Sequence, residues 1–201
     1  MHTEVLWMAP AAAILSGYLL GSIPFGVILT RMFGAGDLRQ VGSGNIGATN
    51  VLRTGHRGLA AATLVLDLAK GAAAVALAGW ILPDAAPLGA AGAFLGHCYP
   101  VWLRFRGGKG VATLMGIVVA LHWPLGLIYA AVWLGMLALV RISSVAGILA
   151  AFSAPVAAAL FTRFDLVMLL MALALIVLWK HRANMERLLA GEEPRIGRRG
   201  G

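Results

Sequence analysis

The sequence predicts an all-α, polytopic membrane bundle of about seven transmembrane helices, and three observations carry that prediction. Of the 201 residues, 60% are apolar and 12% charged, with a mean hydropathy of +0.86, which is more apolar matter than one soluble core of this size can hold. The apolar residues fall in runs at about 5–33, 59–82, 86–103, 111–121, 124–140, 142–161 and 166–179. Lys and Arg stand at the ends of those runs, so the net charge of +8 reads as membrane topology. A nucleic-acid face would instead need a basic surface of a soluble fold with stacking aromatics.

The first run is kept as a span: it has no basic leader region and continues past Gly21 to Phe33 without a convincing processing site. Its Gly17 and Gly21, like Gly92 and Gly96 of the third run, form G-x-x-x-G pairs that let helices approach closely. The fourth and fifth runs, split by His122, Trp123 and Pro124, are shorter than the roughly 20 residues a bilayer core demands and could be one kinked helix. Charge parity decides for seven spans. With the N-terminus outside, one face receives Arg31, Arg39, Arg53, Arg57, Arg104, Arg106, Lys109, Arg141, Lys180 and the basic tail from Arg182 to Arg199, leaving only Arg163, beside Asp165, on the other. Merging the short pair would reverse Arg141, Lys180 and the tail. The short pair is then tilted, thins the bilayer, or is extended by interfacial Trp123. A single domain over residues 1–201 is expected, and its one cysteine, Cys98, excludes an intrachain disulfide and most metal frameworks.

Three polar stretches interrupt this pattern. Residues 42–58, G-S-G-N-I-G-A-T-N-V-L-R-T-G-H-R-G, combine glycines with Ser43, Asn45, Thr49 and Asn50 and the cations Arg53 and Arg57, without a carboxylate. Such a mixture of donors and positive charge suits an anionic, oxygen-rich ligand, with Gly42 allowing close backbone approach. Residues 42–47 also match G-x-G-x-x-G with Asp67 twenty positions on, but a dinucleotide site needs a preceding buried strand and a βαβ unit. In residues 96–113, G-H-C-Y-P-V-W-L-R-F-R-G-G-K-G-V-A-T, the glycines Gly107, Gly108 and Gly110 bracket Lys109 and lead into a helix whose N-terminus can meet an anion. The Gly and Ser/Thr that a nucleotide P-loop requires are replaced by Leu103 and Gly110. The third stretch, residues 180–195, puts His181, Asn184 and Leu188 on one helical face. Asp67 and Lys70 are charges inside an apolar run. Each would cost about 2.5 to 3.5 kcal/mol unpaired at the bilayer centre, so they sit near the cytoplasmic end or pair, as their spacing of three permits.

Together and in this order, G-S-I-P-F-G with G-S-G-N-I-G-A-T-N-V-L-R, then the 96–113 stretch, then H-R-x-N-x-x-R-L-L-x-G-x-E, the motifs resemble those of the bacterial acyl-phosphate:glycerol-3-phosphate acyltransferase family. The resemblance covers nearly the whole chain. It implies a seven-helix enzyme of the bacterial inner membrane, N-terminus periplasmic, C-terminus and active site cytoplasmic. The activity implied is transfer of a fatty acyl group from acyl phosphate to the 1-hydroxyl of glycerol 3-phosphate, giving lysophosphatidic acid and inorganic phosphate, the first step of phospholipid synthesis. Carried over by motif, Ser43 and Arg53 belong to the polar set that holds glycerol 3-phosphate, residues 107–113 with Lys109 and Thr113 grip phosphate, His181 and Asn184 are the polar pair of the third motif, and Glu193 braces loops. Membrane lipid surrounds the protein; no cofactor, metal, nucleic acid or obligate protein partner is implied.

The chemistry of the residues agrees. Acyl phosphate is a mixed anhydride, so its carbonyl is already activated and the protein need only gather two anions and align a hydroxyl. Direct attack without an acyl-enzyme follows, with the proton going to His181 or to the departing phosphate. A transporter of an organic phosphate is the competing reading. Such proteins place substrate near the midplane on broken helices, often with an inverted repeat, and neither is evident in the sequence.

Overall fold

A computed structural model describes residues 3–197; Arg198 and Arg199 of the basic tail lie outside the described residues. Among the described residues there are ten α-helices and no β-strand, as a bilayer requires of a chain that must satisfy its backbone polar groups within each segment. Two compact units divide the chain at Leu121 and His122.

The first unit contains α1 (Thr3–Gly21), α2 (Phe25–Met32), α3 (Ala48–Arg53), α4 (Arg57–Ile81), α5 (Ala86–Cys98) and α6 (Val111–Leu121). The long α4 is its axis and touches all the others. Small residues allow the helices to close. A Cβ at Gly17 or Gly21 would collide with the α5 backbone at Gly89 or Ala93, and one at Gly92 or Gly96 with the α1 backbone at Ile14 or Tyr18, so the two G-x-x-x-G pairs face each other. On α4 and α6, Gly71 meets the Thr113 carbonyl and Gly116 the Leu68 carbonyl with equal closeness.

The second unit contains α7 (Trp123–Val140), α8 (Ser143–Leu160), α9 (Phe164–Lys180) and α10 (Arg182–Leu189). α8 packs between α7 and α9. The tight turn between α7 and α8 is made by Arg141 at φ +59, and that between α8 and α9 by Thr162 at φ +58. Both connections are too short for anything but antiparallel neighbours.

Four helical stretches are long and apolar enough to cross a membrane, Trp7–Met32, Arg57–Ile81, Trp123–Val140 and Ser143–Leu160, and the pair Phe164–Lys180 with Arg182–Leu189, bent by 57°, makes a fifth if counted as one span. This is a multi-pass helical membrane protein. The third apolar run is shorter as a helix than as sequence. The run at 86–103 stops at Cys98 because Pro100 disfavours helical geometry at Tyr99, and residues 101–103 form a separate 3₁₀ turn. His122, extended at φ −164 and ψ 100, ends α6 and begins α7, so the fourth and fifth runs are two helices rather than one kinked rod. At 11 residues, α6 is about 16 Å long at 1.5 Å per residue.

Candidate functional site

Pro24 opens the first half of the site. It lacks an N–H and cannot continue α1, so the chain breaks at Ser22–Pro24 and leaves carbonyls without helical partners. Distant donors satisfy them: the Trp102 indole donates to the Ser22 carbonyl at 2.7 Å, and the Lys70 ammonium to the Ile23 carbonyl at 2.7 Å. Tyr18 adds a third link, its hydroxyl donating to the Tyr99 carbonyl at 2.9 Å and accepting from the Val101 N–H at 3.0 Å. After the break, α2 lies against the glycine-rich loop, where a Cβ on Gly26 would collide with the Ile46 carbonyl.

That loop is wound around one amide. The buried Asn50 Nδ2 donates to the carbonyls of Leu38, Val41 and Asn45 at 2.9, 3.0 and 2.8 Å. Asp37 caps the preceding 3₁₀ turn by accepting from the Arg39 N–H, and Asn45 Oδ1 accepts from the Gly47 N–H at 3.1 Å, an Asx turn that starts α3. Gly42 sits at φ +52. A Cβ there would press on Asn50 Oδ1 and on Arg53 Cδ and Nη1 within 2.8 to 3.0 Å, so the Arg53 guanidinium lies along bare backbone. Ser43 and Arg53 are exposed and Thr49 is half-buried in the first turn of α3.

The second loop is folded onto the end of α5. The Gly107 and Gly108 N–H groups donate to the carbonyls of Cys98 and His97 at 3.2 and 3.0 Å. A Cβ at Gly107 would strike the His97 carbonyl, one at Gly108 the His97 imidazole, and one at Gly110, where φ is +88, the Phe94 ring. Glycine fits at these three places without moving a neighbour. Lys109, half-buried, stands between them, and α6 begins at Val111. Below the loop, Asp67 Oδ1 lies 2.7 Å from Lys70 Nζ and 3.8 Å from His97 Nδ1. Val27 of α2, Ile46 of the first loop and Leu103 ahead of the second form one buried cluster, which puts the two loops at the same end of the unit.

In the second unit the polar stretch is organised by a carboxylate. Glu193 Oε1 accepts from Asn184 Nδ2 at 2.5 Å and from the Ser144 hydroxyl at 2.8 Å, and Oε2 accepts from Arg187 Nε at 2.8 Å. Burial pushes the Glu193 carboxyl up, but these hydrogen bonds and the Arg187 charge outweigh it and hold it below the usual glutamate range. The tail beyond returns to α7, the Ile196 N–H donating to the Arg141 carbonyl at 2.7 Å. His181 is buried at the bend between α9 and α10, its Nδ1 2.8 Å from the Val177 carbonyl. A carbonyl can only accept, so Nδ1 carries a proton and, in the neutral ring, Nε2 is the nitrogen that can accept one.

Residues 11–191 match the family described as glycerol-3-phosphate acyltransferase. The chain is 55% identical to a glycerol-3-phosphate acyltransferase of Mesorhizobium japonicum over 94% of its length and 96% of that protein. It is 57% identical to one of Erythrobacter litoralis over 94% and 95%. The chain belongs to the glycerol-3-phosphate acyltransferase family. Its fold matches the crystal structure of PlsY (YgiH), an integral membrane glycerol 3-phosphate acyltransferase in its glycerol 3-phosphate form, with a TM-score of 0.87 and 35% identity over 94% of this chain and 96% of that one. A lysophosphatidic acid form of PlsY matches with a TM-score of 0.85 and 34% identity, over 94% and 95%.

Within this acyltransferase, the first unit brings Gly42, Ser43, Asn45, Thr49, Asn50 and Arg53 into one loop-helix segment and Gly107, Gly108, Lys109 and Gly110 into its neighbour. Thr113 lies in the first turn of α6, fully buried where α6 meets Gly71 of α4, and its hydroxyl has no hydrogen-bond partner among the described residues. Asn184 and Glu193 are bonded to each other in the second unit. Two participants lie outside the motifs, Ser144 and the reach of Lys70 to Ile23, while Trp102 and Arg187 stand within them but received no role from the sequence. The need for donors near Ser22 and Ile23 was readable from Pro24, because a broken helix frees carbonyls; which donors supply it depends on how the helices pack.

Proposed function

We propose that this acyltransferase moves a fatty acyl group from acyl phosphate to the 1-hydroxyl of glycerol 3-phosphate. The hydroxyl oxygen forms a bond to the acyl carbonyl carbon, the bond from that carbon to the phosphate oxygen breaks, and lysophosphatidic acid and inorganic phosphate leave. The hydroxyl proton goes to the departing phosphate or to His181 Nε2. Arg53 and Ser43 hold glycerol 3-phosphate with the donors of Asn45, Thr49 and the backbone near Gly42, while Lys109 and the 107–110 loop hold the phosphate of the donor. Asn184 is a polar contact of the third motif and Glu193 its brace. Glycerol 3-phosphate as acceptor is also what the names of the relatives and of PlsY describe.

The observation that carries this reading is the pair of glycine-shaped, cation-bearing loops seated on the Val27, Ile46 and Leu103 cluster. Two anions repel, and a reaction between them needs fixed positive charge and backbone donors at one place. An energised donor removes the need for a protein nucleophile, and Cys98 is fully buried. Seven spans with a periplasmic N-terminus and a cytoplasmic site in the inner membrane fit the charge asymmetry of the loops. On the sparsely charged side, Arg163 is paired with Asp165 at 2.8 Å.

Detergent-solubilised protein mixed with acyl phosphate and glycerol 3-phosphate tests the proposal. Phosphate release that needs both substrates and no sealed vesicle is expected, with acyl-CoA inactive as donor. Activity from acyl-CoA alone, or a requirement for a closed vesicle, would overturn it.

A further inference from the structure

We infer that Asp67, Lys70 and His97 are positioning residues: a buried relay that ties the break between α1 and α2 to the 107–110 loop and sets the pose of that loop for the reaction. The inference rests on the reading of that loop as the holder of the donor phosphate. The three groups are 3%, 5% and 5% exposed, inside a unit whose other buried side chains are mostly apolar. Ionised groups at such a place are costly, and a well-packed apolar pair would serve stability as well or better.

The contacts run in one line. Lys70 Nζ is 2.7 Å from the Ile23 carbonyl, 47 residues back, and 5.7 Å from the centre of the Phe25 ring. The same ammonium is 2.7 Å from Asp67 Oδ1, and that oxygen is 3.8 Å from His97 Nδ1. At the far end the His97 imidazole fills the space a Gly108 Cβ would need, and the His97 carbonyl accepts the Gly108 N–H at 3.0 Å. A pair kept only to neutralise charge would be complete within α4, at positions i and i+3. Here one member extends to the first motif and the other faces a histidine that supports the second. Because the loop is pressed on that ring without a side chain between them, a shift of the imidazole moves Gly108 and, with it, Lys109.

The test separates charge neutralisation from positioning. Asp67→Asn/Lys70→Met removes both charges together, so a pair that only balances itself loses nothing by the change. His97→Asn removes the ring and leaves the charged pair intact. Each variant is purified in detergent beside the wild type. Phosphate release is measured for kcat and for both KM values, and the melting temperature is followed as inorganic phosphate is added. His97→Asn is expected to melt near the wild-type temperature without phosphate and the double variant below it, because the Ile23 carbonyl loses its Lys70 donor; both are expected to lose at least about tenfold in kcat and to gain less thermal protection from phosphate than the wild type. Wild-type kcat and wild-type phosphate protection in His97→Asn would overturn the relay, even if the double variant fails to fold. A wild type that releases no phosphate from acyl phosphate would sink the assigned reaction, and phosphate protection across the variants would still decide the relay.

Discussion

The 107–110 loop of the first unit and the His181 to Glu193 segment of the second solve one problem by opposite means. Each must hold a polar stretch in one shape beside apolar helices. The 107–110 loop does it by subtraction: Gly107, Gly108 and Gly110 leave no side chain between the loop and His97, Cys98 and Phe94, so shape comes from backbone contact. The third motif does it by addition, with Glu193 collecting donors from Asn184, Ser144 and Arg187. The difference teaches where each is vulnerable. A loop held by close packing is broken by a methyl group at any pH, whereas a segment held by a carboxylate is loosened by a proton.

The largest effect is expected from Gly110→Ala. The new Cβ meets the Phe94 ring, and a φ of +88 strains any residue that has one. A displacement of about 1 Å can cost on the order of a hundredfold in rate, so phosphate release should fall by about that factor with a pH profile unchanged in form. Near-normal turnover would show that the loop need not lie flat on α5.

Glu193→Gln should act mainly on stability. It keeps an acceptor for Asn184 but faces Arg187 with a group of lower charge, and charged hydrogen bonds of this kind are worth about 1.5 to 3 kcal/mol each when lost. A fall in melting temperature at neutral pH is expected. The folded Glu193 carboxyl sits below the ordinary glutamate pKa of about 4.3. Its contribution is therefore complete above that value and disappears as pH falls through the lower folded one. Melting curves of wild type and variant should differ at pH 7 and converge in strong acid; a gap that persists there would remove the carboxylate from the explanation.

The smallest effect sharpens the comparison from the other side. Gly58, near the start of α4, has nothing among the described residues within 4 Å of an added Cβ and no left-handed φ. Gly58→Ala should leave activity intact and stabilise the protein by roughly 0.4 to 1 kcal/mol, measured by thermal melting. A loss as large as that of Gly110→Ala would mean that close packing is not what distinguishes the loop glycines.

Much of this was legible along the chain, and the reason is local. The pairing of Asp67 with Lys70 follows from helical spacing and the close approach of α1 and α5 from small residues four apart, whereas the run at 5–33, read as one continuous span, is broken by Pro24 into α1 and α2. The first two relations span about a turn or repeat with helical period, so the order of residues contains them. The length of the third run was misread because residues 99–103 stay apolar after Pro100 has ended the helix; hydropathy does not register a backbone that has stopped being helical. The single face drawn through His181, Asn184 and Leu188 holds in α10, where all three are buried or half-buried, while the 57° bend that turns this face away from α9 is not written in the spacing.

Sequence alone therefore established a helical membrane protein and the polar segments that interrupt it, because composition and short-range periodicity respond directly to the bilayer and to the helix; the family entered through the resemblance of the motifs in those segments. Tertiary structure decided what each polar segment rests on. It put His97 beneath Gly108, Lys70 on the Ile23 carbonyl and Ser144 on Glu193. These partners lie 11 to 49 residues apart, and contact over such distances exists only once helices have packed, since it depends on the relative rotation and depth of elements whose spacing in the chain carries no angle.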